Sequence, residues 1–146
     1  MSAQYSTEVL RQPADSRRRL LLCGASVVGM HFVVVLWHLV VLVRVQPNFP
    51  MLGGLGLILI NLLPIAGVVA FAKGATRLAA SLIVIPLGVA LVIGGYSHFL
   101  SPGSDNVLRM PPHGLTLEMQ ISAALLAVLE ALGCWLGVKM LSRHDA

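Results

Sequence analysis

Charge is scarce in this sequence, and acidic charge scarcest: its 146 residues hold six Asp or Glu and ten Lys or Arg, 11% in all. A soluble globular domain carries roughly 25% charged residues, so a water-facing surface cannot be assembled from this supply. Cysteine is nearly absent too. Cys23 and Cys134 lie in apolar runs with no second Cys or His at metal-ligand spacing, which leaves them as small buried hydrophobes. No nucleotide loop, nucleophile motif or metalloprotease motif occurs, and no internal repeat is visible. The length suits one domain and leaves no room for a soluble catalytic domain beside a membrane bundle.

Apolar sequence is what the chain has in abundance: 57% of it is hydrophobic and the mean hydropathy is +0.86. Four runs, 20–43, 52–72, 78–98 and 119–141, each reach the about 20 helical residues needed to cross a hydrocarbon core of ~30 Å. A spanning segment must satisfy its own backbone, as a helix does. Barrel strands would alternate polar and apolar residues, and these runs do not. The expected fold is therefore all-α, an up-down integral membrane bundle of four transmembrane helices. Pro64 and Pro86 fall inside the second and third runs and imply kinks there.

Orientation follows from the basic residues. Arg11, Arg17, Arg18, Arg19, Lys73, Arg77, Lys139 and Arg143 share one side, against Arg44 and Arg109 on the other. The positive-inside rule then puts both termini in the cytoplasm: a basic tail over 1–19, the transmembrane domain over 20–141 and a short tail over 142–146. That topology puts both cysteines in the cytoplasmic half, which argues against a structural disulfide. The expected location is the inner (plasma) membrane. The isoelectric point of about 9.7 reflects these flanks, which meet anionic lipid, and needs no nucleic acid. Ser16–Leu21 has the look of a twin-arginine signal, but the apolar run behind it is far longer than a signal core and no small-residue cleavage site follows.

Residues 1–16 read as a mobile tail or short surface helix. The outer loop 44–51 and the cytoplasmic turn 73–77 are short. The outer loop 99–118 is the extended exposed segment, punctuated by Pro102, Gly103, Pro111, Pro112 and Gly114. Loops of this length are commonly functional.

Ionisable residues inside a span are expensive and so mark candidate sites. Counting from the span ends puts His31, Asn61 and Glu130 near the midplane of the first, second and fourth spans. Small residues flank Glu130 at helical spacing, among them Gly133 and Gly137, a pattern for close helix packing. Gly24, His31 and His38 fall on one stripe of the first helix. The functional reading is a protonatable pair, Glu130 with His31, oriented by Asn61. The plainer reading is a neutral Glu that glues helices, worth about 0.6–2 kcal/mol.

A second group belongs to the outer side: His38, Tyr96, His98, Met110, His113, Glu118 and Met119. Imidazole, thioether and carboxylate are ligand types for copper or zinc, and His38, His98, His113 and Glu118 are the candidate metal or haem ligands. Their spacing does not force them together, and the expectation is that they stay apart as interfacial anchors. Binding of an organic headgroup or quinone by this group is a further option.

The stretch Gly74-Ala75-Thr76-Arg77-Leu78-Ala79-Ala80 resembles the corresponding turn in the DoxX-like group of small four-helix membrane proteins. It covers under a tenth of the chain, and no site residue is carried over from it. The expected function is that of a small non-enzymatic membrane protein, a transport component or an accessory subunit of a membrane complex. Its partners would be the lipid bilayer and other membrane subunits or further copies of itself. The alternative is a metal- or haem-handling redox protein using the outer histidines; no cofactor is fixed by the sequence.

Overall fold

The computed structural model describes residues 2–46, 51–102, 105–112 and 114–142. All regular structure among them is helical: α1 (Ser2–Val45), α2 (Met51–Ala72), α3 (Thr76–Gly95), a π-turn (Tyr96–Leu100) and α4 (Thr116–Ser142). Packing runs α1 to α2, α2 to α3, α3 to α4 and α4 back to α1, a closed ring of four helices.

Three segments are long and apolar enough to cross a membrane: Asp15–Val45, Thr76–Leu100 and Thr116–Ser142. The described apolar stretch of α2 is Gly56–Ala72. Polarity is distributed inside out. Val33, Val92 and Leu100 are 64%, 71% and 72% exposed, whereas His31, His38, Asn61, Asn106, Ser122 and Glu130 are buried. Helices that are apolar on their outer faces as well as within suit a lipid surrounding.

Helix limits differ from the sequence expectation at several ends. α1 starts at Ser2, so the polar segment through Ser16 is helical and continuous with the apolar run. No stop signal lies between Asp15 and Leu20, and a helix already propagating continues at low cost. At 44 residues and 1.5 Å per residue, α1 is about 66 Å long, well beyond a hydrocarbon core. Cys23 is exposed on the outer surface of α1 instead of buried, while Cys134 is half-buried.

The turn between α2 and α3 ends α2 with a Schellman motif. Ala75 N–H donates to Ala70 O at 2.9 Å and Gly74 N–H to Phe71 O at 3.0 Å, with Gly74 at φ +89°, a conformation that glycine adopts without strain. Arg17 docks α1 on this end. Its Nη2 donates to Phe71 O at 2.7 Å, and its guanidinium lies 5.5 Å from the Phe71 ring centroid. A cation on the C-terminal carbonyls of a helix also meets the negative end of its dipole.

Glycine sets the spacing of the ring. A Cβ on Gly133 would fall 2.3 Å from Leu87 Cδ1, and one on Gly137 2.5 Å from Val84 Cγ2, so both are faced closely by α3. Gly67 of α2 meets Ala79 O of α3 in the same way, at 2.9 Å from its virtual Cβ.

Among the described residues of the expected outer loop, Leu108, Arg109, Pro111 and Pro112 are exposed, as expected, while Asn106 and Val107 are buried and fold the segment back as a cap. Val107 is buried with Val41, Leu42, Met119 and Ala123. Asn106 organises the turn: its Nδ2 donates to Ser101 O at 2.6 Å and its Oδ1 accepts from Leu108 N–H at 3.0 Å. Gln120 Nε2 donates to Val107 O at 2.9 Å, and Gln46 Nε2 to Asp105 Oδ1 at 2.5 Å. The cap is thus tied to both α1 and α4.

Candidate functional site

Helices α1 and α4 run antiparallel, and two buried polar contacts mark their register. His31 Nε2 stands 3.5 Å from Glu130 Oε1. About two turns further along α1, His38 Nδ1 bonds Ser122 Oγ at 2.8 Å. Seven residues of α1 and eight of α4 separate these levels, about 10–12 Å at the helical rise. Val34, Val35, Leu126 and Leu129 pack between them.

Between the helices lies a cavity of about 260 Å³. Its walls are apolar, with Val35, Leu39, Ile60, Val89, Ile93 and Leu126 among them. The polar residues lining it are His38, Asn61, Ser97, His98, Asp105 and Glu130, of which His38 meets His98 and His98 meets Asp105, while Glu130 stands about two helical turns from the level of His38. Among the described residues no Lys or Arg lines the cavity. An apolar concavity with few convergent polar groups is the usual form of a small-molecule site, although ligand pockets are commonly somewhat larger, about 300–1,000 Å³.

The π-turn brings His98 here. Gly94 and Gly95 weaken the end of α3, and Ser101 N–H then donates to Tyr96 O at 2.8 Å, the five-residue step of a π-helix. Such turns recur at functional sites. The His38 and His98 rings meet with centroids 5.0 Å apart. His98 Nδ1 lies 3.1 Å from Asp105 O, and a carbonyl only accepts, so Nδ1 carries the proton. At His38, Nδ1 meets Ser122 Oγ, and the hydroxyl also reaches Met119 O at 3.1 Å; with the hydroxyl proton on Met119 O, His38 Nδ1 is the donor. In neutral rings with Nδ1 protonated both Nε2 atoms are acceptors, and both residues line the cavity.

Asn61 is 7% exposed, and its Nδ2 donates to Leu57 O of its own helix at 2.7 Å. That fixes which end is the amide nitrogen and leaves Oδ1 as an acceptor. Among the described residues Asn61 makes no hydrogen bond to Glu130 or His31, so it lines the same cavity as Glu130 without orienting the pair. The Glu130–His31 contact is at the long limit of hydrogen bonding. Glu130 lines the cavity; His31, 1% exposed, stands behind it.

The remaining sequence candidates scatter. Met119 is fully buried in the apolar cluster under the cap, with Met110 packed against it. Glu118 sits in the first turn of α4 with Oε2 buried and, among the described residues, no hydrogen-bond partner, and it does not line the cavity. Tyr96 is exposed. His113 lies outside the described residues. No cluster of three or more His, Cys, Asp or Glu suited to a metal occurs among the described residues. The expectation that the outer histidines stay apart fails for His38 and His98, which converge because the π-turn swings His98 inward.

Sequence reasoning missed Asp105, Ser122 and the cap. Asp105-Asn106 in a Pro/Gly-rich loop carries an Asx-turn signal. Ser122 shows nothing, since one Ser in an apolar helix is unremarkable. No known protein family, curated protein or solved structure matches the chain, so the likeness of Gly74–Ala80 assigns no family.

Proposed function

We propose that the chain is a four-span membrane protein, termini cytoplasmic, in the inner (plasma) membrane, that holds a small, mainly apolar molecule in its cavity. It acts without chemistry of its own, as a binding or transport component. The observation carrying this reading is the cavity, with apolar walls and hydrogen-bond acceptors at both ends. The apolar outer surface serves lipid; other membrane subunits or a second copy would use the same surface, which is the accessory-subunit form of the proposal.

The test is thermal unfolding of the purified protein against a panel of small lipophilic compounds, beside Ala127→Phe, which fills the cavity wall. A ligand at 100 times its Kd stabilises by about 2.7 kcal/mol. Stabilisation of the wild type that is lost in Ala127→Phe is expected. Equal responses from both, across the panel, would defeat the reading.

A second reading has one specific observation behind it. Two imidazoles, each anchored through Nδ1 and presenting Nε2, have the outer-sphere support seen for metal-bound histidines. They would offer those two nitrogens to a transition metal or haem iron, while Glu118 does not line the cavity.

A further inference from the structure

The groups facing the cavity share one character. Glu130 brings a carboxylate, Asn61 an amide oxygen, and His38 and His98 the Nε2 lone pairs described above, while among the described residues the lining holds no Lys or Arg. A molecule that only accepts hydrogen bonds, or an anion, would find no permanent positive charge there. A donor or a cation finds acceptors at both ends.

Charge balance then limits the states of the inner end. Glu130 is 6% exposed and His31 1%, and an uncompensated charge at that depth is strongly disfavoured. Among the described residues the other ionisable group near Glu130 is Cys134, four residues along α4, whose Sγ points to Val84 O of α3 at 3.8 Å. α2 contributes Asn61, which does not ionise, and the part of α3 lining the cavity, Pro86 to Gly95, has no ionisable residue. The His98 and Asp105 groups belong to the far end, with His38. A net charge on the pair is costly at that depth, and the pair is neutral when one proton is shared between its two members. If a monovalent cation enters beside Glu130, neutrality returns when that one proton leaves: carboxylate, neutral imidazole, cation.

We infer that the cavity binds one monovalent organic cation with an apolar body in exchange for one proton, Glu130 being the carboxylate that the two share. This rests on the proposal that the cavity holds a small molecule, and it adds the substrate class and the coupling. No bond is made or broken except to the proton, which passes to solvent. Affinity for the cation rises with pH, by about tenfold per unit where one full proton is displaced.

The probes are benzyltrimethylammonium, whose charge does not titrate, and its neutral isostere neopentylbenzene. Binding to the detergent-solubilised full chain is measured with Ala127→Phe subtracting partition into the micelle, and proton release is read in weak buffer. The expected result is saturable binding of the cation with close to one proton released per cation bound. In Glu130→Gln the release and the pH dependence disappear. Because protons are counted on the wild type, the result stands even if that variant does not fold. Cation binding without proton release overturns the inference. So does binding of the neutral isostere, or of any compound of the lipophilic panel, while the cation fails to bind. If neither probe binds and the panel fails too, the cavity reading itself falls.

Discussion

His38 and His98 meet edge to face, ring planes 72° apart, and each is held by its Nδ1, His38 on Ser122 Oγ and His98 on Asp105 O. The contact joins α1 to the π-turn beneath the cap, so this end of the cavity is built from three separate pieces of chain. Two imidazoles supply half of the four ligands that a structural zinc takes. Purified protein is therefore expected to retain substoichiometric zinc or copper and to show no haem absorption band. Metal analysis and a visible spectrum check this. One metal or haem per chain, lost in His38→Ala, would move the metal reading into first place.

Glu130 and His31 give a stability prediction independent of any ligand. Glu130→Leu removes the carboxylate and leaves His31 Nε2 buried without its partner, which costs about 1–3 kcal/mol. Glu130→Gln keeps an oxygen within reach and is expected to cost clearly less. Thermal unfolding in one detergent ranks the three proteins. A Leu variant as stable as the wild type would show that the 3.5 Å contact contributes nothing.

The close helix approaches give a graded series. Gly67→Ala drives a Cβ to 2.9 Å from the Ala79 carbonyl and 2.7 Å from Ile83 Cγ1, and backbone cannot step aside. Overpacking of this kind costs about 1–3 kcal/mol. Gly133→Ala is expected to cost less, because it meets the end of the Leu87 side chain. At Gly29 a Cβ meets nothing within 4 Å, so Gly29→Ala should stabilise α1 by up to about 1 kcal/mol through helix propensity. Equal melting temperatures for Gly67→Ala and Gly29→Ala would refute the packing argument.

What the sequence displayed and what it hid divide along range of interaction. Long apolar runs determine helices almost by length alone, so the four helices were legible in composition. His31 and Glu130 were legible as partners because depth counting on antiparallel spans needs only the helical rise. The meeting of His38 with His98 was not, since it depends on a π-turn that no pattern in Tyr96–Leu100 announces. The cap was hidden for a similar reason: Val107 is one apolar residue among turn formers, and its burial at 1% exposure depends on α1 and α4 already standing side by side. Cys23 was misread because apolar sequence marks a span without saying which face of the helix looks outward.

The proposed topology is open to direct labelling, and the charge asymmetry argues for its outcome. Arg17 on Phe71 O brings the basic end of α1 to the α2–α3 turn, and Lys139 lies near the C-terminal end of α4, so these cations share one end of the bundle. The cap shares the other end with Arg44 and Arg109. Positive residues are retained on the cytoplasmic side during insertion, so the cap should face outward. Single cysteines are introduced at Leu108, which is 69% exposed, and at Ser142, in a chain with Cys23 and Cys134 replaced by serine or alanine. In intact cells a membrane-impermeant maleimide should label Leu108→Cys and leave Ser142→Cys untouched until the membrane is opened. Both variants should react fully in detergent, which removes poor folding or local shielding as an explanation. Labelling of Ser142→Cys alone in intact cells would invert the orientation, with the cap and the His38–His98 end of the cavity then facing the cytoplasm.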